Sequence, residues 1–338
     1  KPRTKSGAGW PPGMDLRTMR YLVTGGAGFI GSHLVDRIIA EGHEAVVLDN
    51  FASGKRSNLD EAAASGRLNL IEGSILEAAD LERAMQGVDV VFHMAVECVR
   101  KSIGDPVSNH HINATGTIMT LEAARKNKIS RFVYCSSSEV YGNSSTGVLS
   151  EDATVCAPTT AYGAAKLAGE LYTQAYWRTY GMRTSVVRPF NAFGPREHDQ
   201  GVLAEVIPRF VIKVMNGQAP IVFGDGTQGR DFTYVTDTAD GLWRAAHDES
   251  LLGDVVNLGW GRAVSVREVA EEILKQCGRN DIALEFVAER PGDIQSLIAA
   301  TEKAERHLGF KPQVSFGEGI GRYIAWFKAR YQIGRAHV

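Results

Sequence analysis

The chain has 338 residues, 44% of them hydrophobic, and 37 Lys and Arg against 39 Asp and Glu give a formal net charge of -2. That length holds one large α/β domain plus a smaller one, and the balanced charge excludes a broad electrostatic footprint for nucleic acid or an anionic membrane. No apolar run reaches the ~18 residues of a membrane span, and Cys98, Cys135, Cys156 and Cys277 form no CxxC pair or Cys/His cluster, which argues against a zinc site or disulfide framework and fits a reducing cytoplasm.

Residues 1–19 begin basic and rich in Pro and Gly, without the apolar stretch of a signal peptide. They read as a disordered tail or an appended remnant. Tyr21-Leu-Val-Thr24 is a short apolar strand entering a glycine-rich turn, and Phe29–Ala40 has helical spacing, with Ile30, Leu34, Ile38 and Ile39 on one face. Further strand-like runs follow at 44–48, 68–71, 88–92 and Arg131–Cys135, separated by helical segments, notably 113–126. Short buried-type strands alternating with helices imply a doubly wound, Rossmann-type parallel sheet. A long helix runs from Tyr162 to about Tyr180, and 184–187 reads as one more inner strand. From Arg188 onward Pro, Gly and Asn become frequent, and short strands such as Ile221–Phe223 mix with helices such as Val266–Gln276. The expected division is a cofactor domain at 20–190, rejoined by about 234–258, and a smaller α/β substrate domain at 191–233 and 259–331. Residues 332–338 look appended.

The first turn, Gly25-Gly-Ala-Gly28-Phe29-Ile30-Gly31, has G-x-x-G-x-x-G spacing. Such glycines let a pyrophosphate approach the backbone at a helix N-terminus. Asp49, followed by Asn50, ends the next strand, where a carboxylate binds both ribose hydroxyls and repels a 2′-phosphate. Together these favour NAD over NADP; the alternative is a tight strand-to-helix turn and nothing more. Lys55 and Arg56 either reach the adenosine end or belong to a solvated loop.

Tyr162-Gly-Ala-Ala-Lys166 places a phenol and an ammonium on one helical face. A nearby cation lowers a phenol's pKa from ~10 and makes it a usable base. As an isolated pattern this is more often a surface pair. It gains weight from Cys135-Ser-Ser137-Ser138-Glu139-Val-Tyr-Gly142 just past a strand end, where an open parallel sheet binds its ligands. Those hydroxyls either hold a substrate oxygen beside Tyr162 or satisfy backbone groups.

Over about 20–331 the chain resembles the extended short-chain dehydrogenase/reductase family, in particular its nucleotide-sugar epimerases and dehydratases. The resemblance rests on GGAGFIGSH at 25–33, Asp49-Asn50, SSSEVYG at 136–142, Tyr162 with Lys166, RPFNAFGPR at 188–196, GRDFTYV at 229–235 and RPGD at 290–293. It implies an NAD-dependent enzyme that oxidises the C4 hydroxyl of a nucleotide-linked sugar and keeps the 4-keto sugar bound. Tyr162 would be the base, Lys166 its partner and Ser137 the hydroxyl at the reacting oxygen. The glycine turn, Asp49, Asn50, Ser74 and Ile75 would hold NAD. Asn191 would contact the diphosphate, and Arg230 and Arg290, with Asp293, would clamp the nucleotide; for the arginines the alternative is ion pairing with Asp231 or Asp293. A homodimer pairing helices 113–126 and 162–180 across a two-fold axis is also implied.

Two departures stand out. The family usually places an acid after the glycine of the third strand, whereas this chain has Gly73-Ser74-Ile75, and His93-Met-Ala-Val-Glu97-Cys-Val-Arg100 differs from the usual run. Glu97 and Arg100 either shape the pocket or pair with each other. The outcome after oxidation turns on Ser137-Ser138-Glu139. C4 epimerisation of a UDP-sugar is the commonest outcome for this motif set. Glu139 is instead the residue a 4,6-dehydratase or UDP-glucuronate decarboxylase carries, as a C5 base or, in the alternative, a loop carboxylate held by backbone N–H groups. His110, His111 and His198 are expected in surface or packing roles. A non-catalytic NAD-binding scaffold and a reductase for a substrate lacking a nucleotide are the competing readings.

Overall fold

The computed structural model describes residues 18–144, 147–289 and 296–332. Arg290, Asp293 and the tails at 1–17 and 333–338 lie outside them. In chain order the strands are β1 (Arg20–Thr24), β2 (Glu44–Asp49), β3 (Leu68–Glu72), β4 (Val90–His93), β5 (Arg131–Cys135), β6 (Val148–Leu149), β7 (Thr184–Pro189), β8 (Asn191–Phe193), β9 (Ile221–Phe223), β10 (Gly229–Tyr234), β11 (Val255–Leu258), β12 (Ala263–Ser265), β13 (Glu285–Val287) and β14 (Ser296–Ala299).

Seven strands form one sheet in the order β11-β7-β5-β4-β1-β2-β3, with every pairing parallel. β4, β5, β7 and β11 are buried along their whole length. This explains their continuous Val, Phe and Tyr runs: helices cover both faces, so neither face needs polar residues. One face packs around Leu34, Ile38, Phe92 and Leu242, the other around Leu48, Leu121, Phe132 and Tyr134. The winding reverses between β1 and β4, and in open α/β sheets ligands bind outside the strand ends at such a reversal.

The stretch 234–258 joins this sheet. Its helix Val235–His247 packs against Phe29–Ala40, and β11 pairs in register with β7. The remaining strands build a smaller sheet, β12-β10-β14-β6 with β8 alongside β10, and the pair β13-β9. Phe193, Phe210, Phe232, Tyr323 and Phe327 fill a separate core beneath it.

Two boundaries differ from the sequence reading. Met19, placed in the N-terminal tail by composition, is buried in the main core and its carbonyl accepts from Glu44 N–H at 3.0 Å. The helix expected at 113–126 begins earlier, as Pro106–His110 and a wider π-type turn His111–Thr115, before regular winding at Gly116–Lys126. Buried Asn109 and Asn113 turn inward there, and their amides donate to the Glu97 carbonyl at 3.0 and 2.9 Å. That polar demand has no hydrophobic period and was invisible to pattern reading.

Candidate active site

A cleft of about 510 Å³ opens across the strand ends. Gly25, Gly28, Phe29, Ile30, Gly31, Asp49, Asn50, Ser74, Ile75, Ser137, Ser138, Glu139, Tyr162, Lys166 and Asn191 all line it. One fold thus gathers residues the sequence singled out up to 166 positions apart, between Gly25 and Asn191.

At the β1 end, Gly25 has φ +67, and a side chain on it would fall 2.7 Å from the Ala95 Cα. On Gly31 a side chain would collide with the Gly25 carbonyl at 2.5 Å, whereas at Gly28 the nearest atom is that carbonyl at 3.1 Å. The following helix has no side-chain cap and no acidic residue in its first turn. Its N–H groups and positive dipole end therefore meet no competing carboxylate, which fits an anionic diphosphate. Asp49 is anchored by N–H donation from Ala27 (2.9 Å) and Phe51 (2.8 Å); burial raises its pKa and these bonds oppose the rise. The residues present fit a dinucleotide.

At the third strand, Ser74 donates its N–H to Asp80 at 2.8 Å, and its hydroxyl accepts from Leu76 N–H at 3.1 Å. The acid missing at position 74 has a neighbour in Asp80, whose carboxylate a side chain on Gly73 would strike at 2.5 Å. Lys55 is paired with Asp199 at 3.3 Å, and Arg56 binds Glu72 and lies over the Phe51 ring at 4.2 Å.

The reacting end is set by the helix Ala161–Tyr180, capped by Thr160, whose hydroxyl accepts from Gly163 N–H at 3.0 Å. Burial raises the Tyr162 phenol, the Ser137 hydroxyl lowers it through a hydrogen bond, and Cys135, Glu139 and Cys98 push it up. Lys166 lines the same cleft. Its ammonium donates to the Cys135 carbonyl at 2.5 Å and lies 4.6 Å over the Tyr134 ring. Burial brings Lys166 down to about 8, against Cys135 and Glu170.

Glu139 lies on the cleft wall. Burial raises its carboxyl, Arg230 opposes the rise and Glu205 reinforces it. The Arg230 guanidinium donates to the Gly229 carbonyl at 2.8 Å, and the Asp231 carboxylate accepts N–H from Trp260 (2.7 Å), Gly261 (2.8 Å) and Ala299 (3.1 Å). Glu97 and Arg100 do not pair with each other: Glu97 meets Lys101 at 3.4 Å and Arg100 meets Glu205 at 2.8 Å. His110 and His111 are exposed, whereas half-buried His198 lines the cleft.

Sequence reasoning missed Glu197 and Glu205, which also line the cleft. Burial raises Glu197 well above the carboxylate range, with Glu205 reinforcing it. No motif marks either residue; only the fold brings them to the cleft wall that Glu139 shares.

The geometry defines a dinucleotide-dependent α/β enzyme of the extended short-chain dehydrogenase/reductase kind. Residues 21–259 match the NAD dependent epimerase/dehydratase family, and the chain belongs to that family. It is 36% identical over 318 residues to a UDP-glucose 4-epimerase of Mycolicibacterium smegmatis, covering 93% of this chain and 100% of that one. It is 35% identical over 318 residues to a dTDP-glucose 4,6-dehydratase of Streptomyces niveus, covering 92% and 93%. The crystal structure of DesIV, a dTDP-glucose 4,6-dehydratase of Streptomyces venezuelae with NAD and TYD bound, superposes with TM-score 0.86 at 33% identity, covering 93% of this chain and 98% of that one. The family consists of NAD-dependent enzymes, which sets the scaffold reading aside.

Proposed function

We propose that this enzyme inverts C4 of a UDP-linked sugar through a transient 4-keto intermediate. The observation that carries the reading is that the Ser137 hydroxyl and the Tyr162 phenol line the same cleft as the glycine turn. Ser137 holds the C4 oxygen, and Tyr162 takes its proton and later returns one. NAD, bound along Gly25–Gly31 and Asp49, supplies the hydride acceptor and donor and a positive ring that favours the phenolate. Lys166, charged below about pH 8, keeps a cation on the same helix one turn away. Asn191, Arg230 and, outside the described residues, Arg290 and Asp293 take the nucleotide end, where guanidinium forks suit phosphate oxygens. The seven-stranded sheet serves as the cofactor domain (20–190 with about 234–258), and the smaller sheets serve as the substrate domain.

A second reading is favoured by Glu139, a raised carboxyl on the cleft wall. As a base at C5 it would turn the same 4-keto sugar toward 4,6-dehydration, or serve in decarboxylation of a uronate. Purified enzyme incubated with UDP-glucose, UDP-N-acetylglucosamine and UDP-glucuronate, with products read by proton NMR, separates these. A C4-inverted sugar supports the first reading; a 4-keto-6-deoxy sugar, or a pentose with carbon dioxide, replaces it with the second.

We also propose a homodimer through the helix Ala161–Tyr180. Leu171 and Tyr180 on it, and Ile103 and Val107 on short helices packed against it, are 56%, 56%, 78% and 65% exposed. Light scattering of the purified chain should give twice the monomer mass. The four free cysteines support a reducing compartment such as the cytoplasm.

A further inference from the structure

We infer that the buried Glu170–Arg188 ion pair is the positioning device that holds the Ser137-Ser138-Glu139 row in register with Tyr162 and Lys166. The inference rests on the proposed role of those residues. Glu170 lies two turns beyond Tyr162 on the same helix, and Arg188 lies on β7. Arg188 donates to both Glu170 oxygens, at 2.8 and 2.6 Å, with side chains only 5% and 2% exposed.

The pair grips the row at both ends. Ser136, just before it, donates its hydroxyl to Glu170 at 2.5 Å. Tyr141, just after it, accepts from Arg188 Nη1 at 2.8 Å and donates to Asn257 on β11 at the same distance. Between these grips the row presses on the helix: a side chain on Gly163 would lie 2.6 Å from the Glu139 carbonyl. The helix is held equally close to β5, since a side chain on Gly169 would meet the Tyr134 hydroxyl at 2.3 Å. One carboxylate and one guanidinium therefore fix three elements that share the reacting end.

A buried ion pair contributes little net stability compared with an apolar pair of similar volume. Bidentate geometry does contribute direction, and reacting groups displaced by about 1 Å lose on the order of 10²-fold in rate. The pair also bears on Lys166. That ammonium faces Glu170 on its own helix, His93 from β4, and Tyr134 and Cys135 from β5, and it lines the cleft with Tyr162.

The test uses the full-length, NAD-loaded enzyme with UDP-glucose, UDP-N-acetylglucosamine and UDP-glucuronate assayed in parallel. Glu170→Gln should lower kcat by about 10- to 100-fold with KM within about twofold. Its alkaline limb should move to lower pH, because the carboxylate that steadies the Lys166 ammonium is gone. Should Glu170→Gln fail to fold, the double variant Ser136→Ala/Tyr141→Phe decides, since it frees the row while leaving both charges paired; it should lose about tenfold in kcat at unchanged KM. Unchanged kcat and pH profile in the folded variants overturn the inference. Tyr162→Phe run alongside separates the layers: if it is inactive while the other variants match wild type, only the positioning role fails. If it matches wild type, or no sugar turns over, the functional reading fails and this inference with it.

Discussion

At the β1 end of the cleft the fittings are backbone ones: a glycine turn, an uncapped helix N-terminus, and an Asp49 whose oxygens are already aimed by two N–H groups. At the reacting end they are side chains in opposition. Half-buried Tyr162 and Glu139 and buried Glu197 are all pushed toward their neutral forms, and Lys166 is pushed toward losing its proton. The cofactor end is geometrically finished in the chain alone. The reacting end stores ionisable groups whose charge states depend on what binds beside them. Binding should therefore be robust and chemistry sensitive, and the two should separate under substitution.

The largest separation is expected for Tyr162→Phe. Removing the base should lower kcat by about 10²–10⁴-fold, measured by NMR of the sugar product, while co-purifying NAD stays at wild-type stoichiometry. Gly25→Ala should do the reverse. At φ +67, with Ala95 backbone 2.7 Å from the added carbon, it should destabilise the fold by about 1–3 kcal/mol, seen as a lower Tm with reduced NAD content. A shared loss in both variants would break the comparison.

The pH response should belong to the reacting end alone. Lys166 carries its proton below about pH 8 and loses it above, so kcat should decline as pH rises through that value while NAD retention holds. The smallest effect is expected for Glu139→Gln. A C4 inversion asks no proton of Glu139, so kcat should stay within about threefold, a change of roughly 0.6 kcal/mol. A loss beyond about 10²-fold would instead fit a proton transfer by Glu139 and the second reading.

What sequence could reveal follows the same divide. The glycine turn, Asp49 and the strand–helix alternation are local patterns with fixed spacing, and the fold keeps each where its period placed it. Tyr162, Ser137 and Glu139 were legible as motifs, because a strand end and a helix face are local features too. The Cys135 contact of the Lys166 ammonium was not: i and i+4 spacing gives a shared face, but one of the three N–H donors goes to a carbonyl on β5. Glu197, Glu205 and the Asn109–Asn113 clamp on Glu97 carried no signal, since buried polar groups are chosen by partners far along the chain. Glu170 and Arg188 stood in plain motifs, yet their partnership is a tertiary fact.

The central claim is that C4 is oxidised and reduced again within one cleft. It is tested most directly with UDP-glucose deuterated at C4, incubated in ordinary water, with the product read by NMR. C4 inversion with the deuterium retained at C4 is expected, because the hydrogen leaves and returns without meeting solvent. Inversion with the deuterium exchanged for solvent hydrogen, or inversion that survives Tyr162→Phe undiminished, would contradict it.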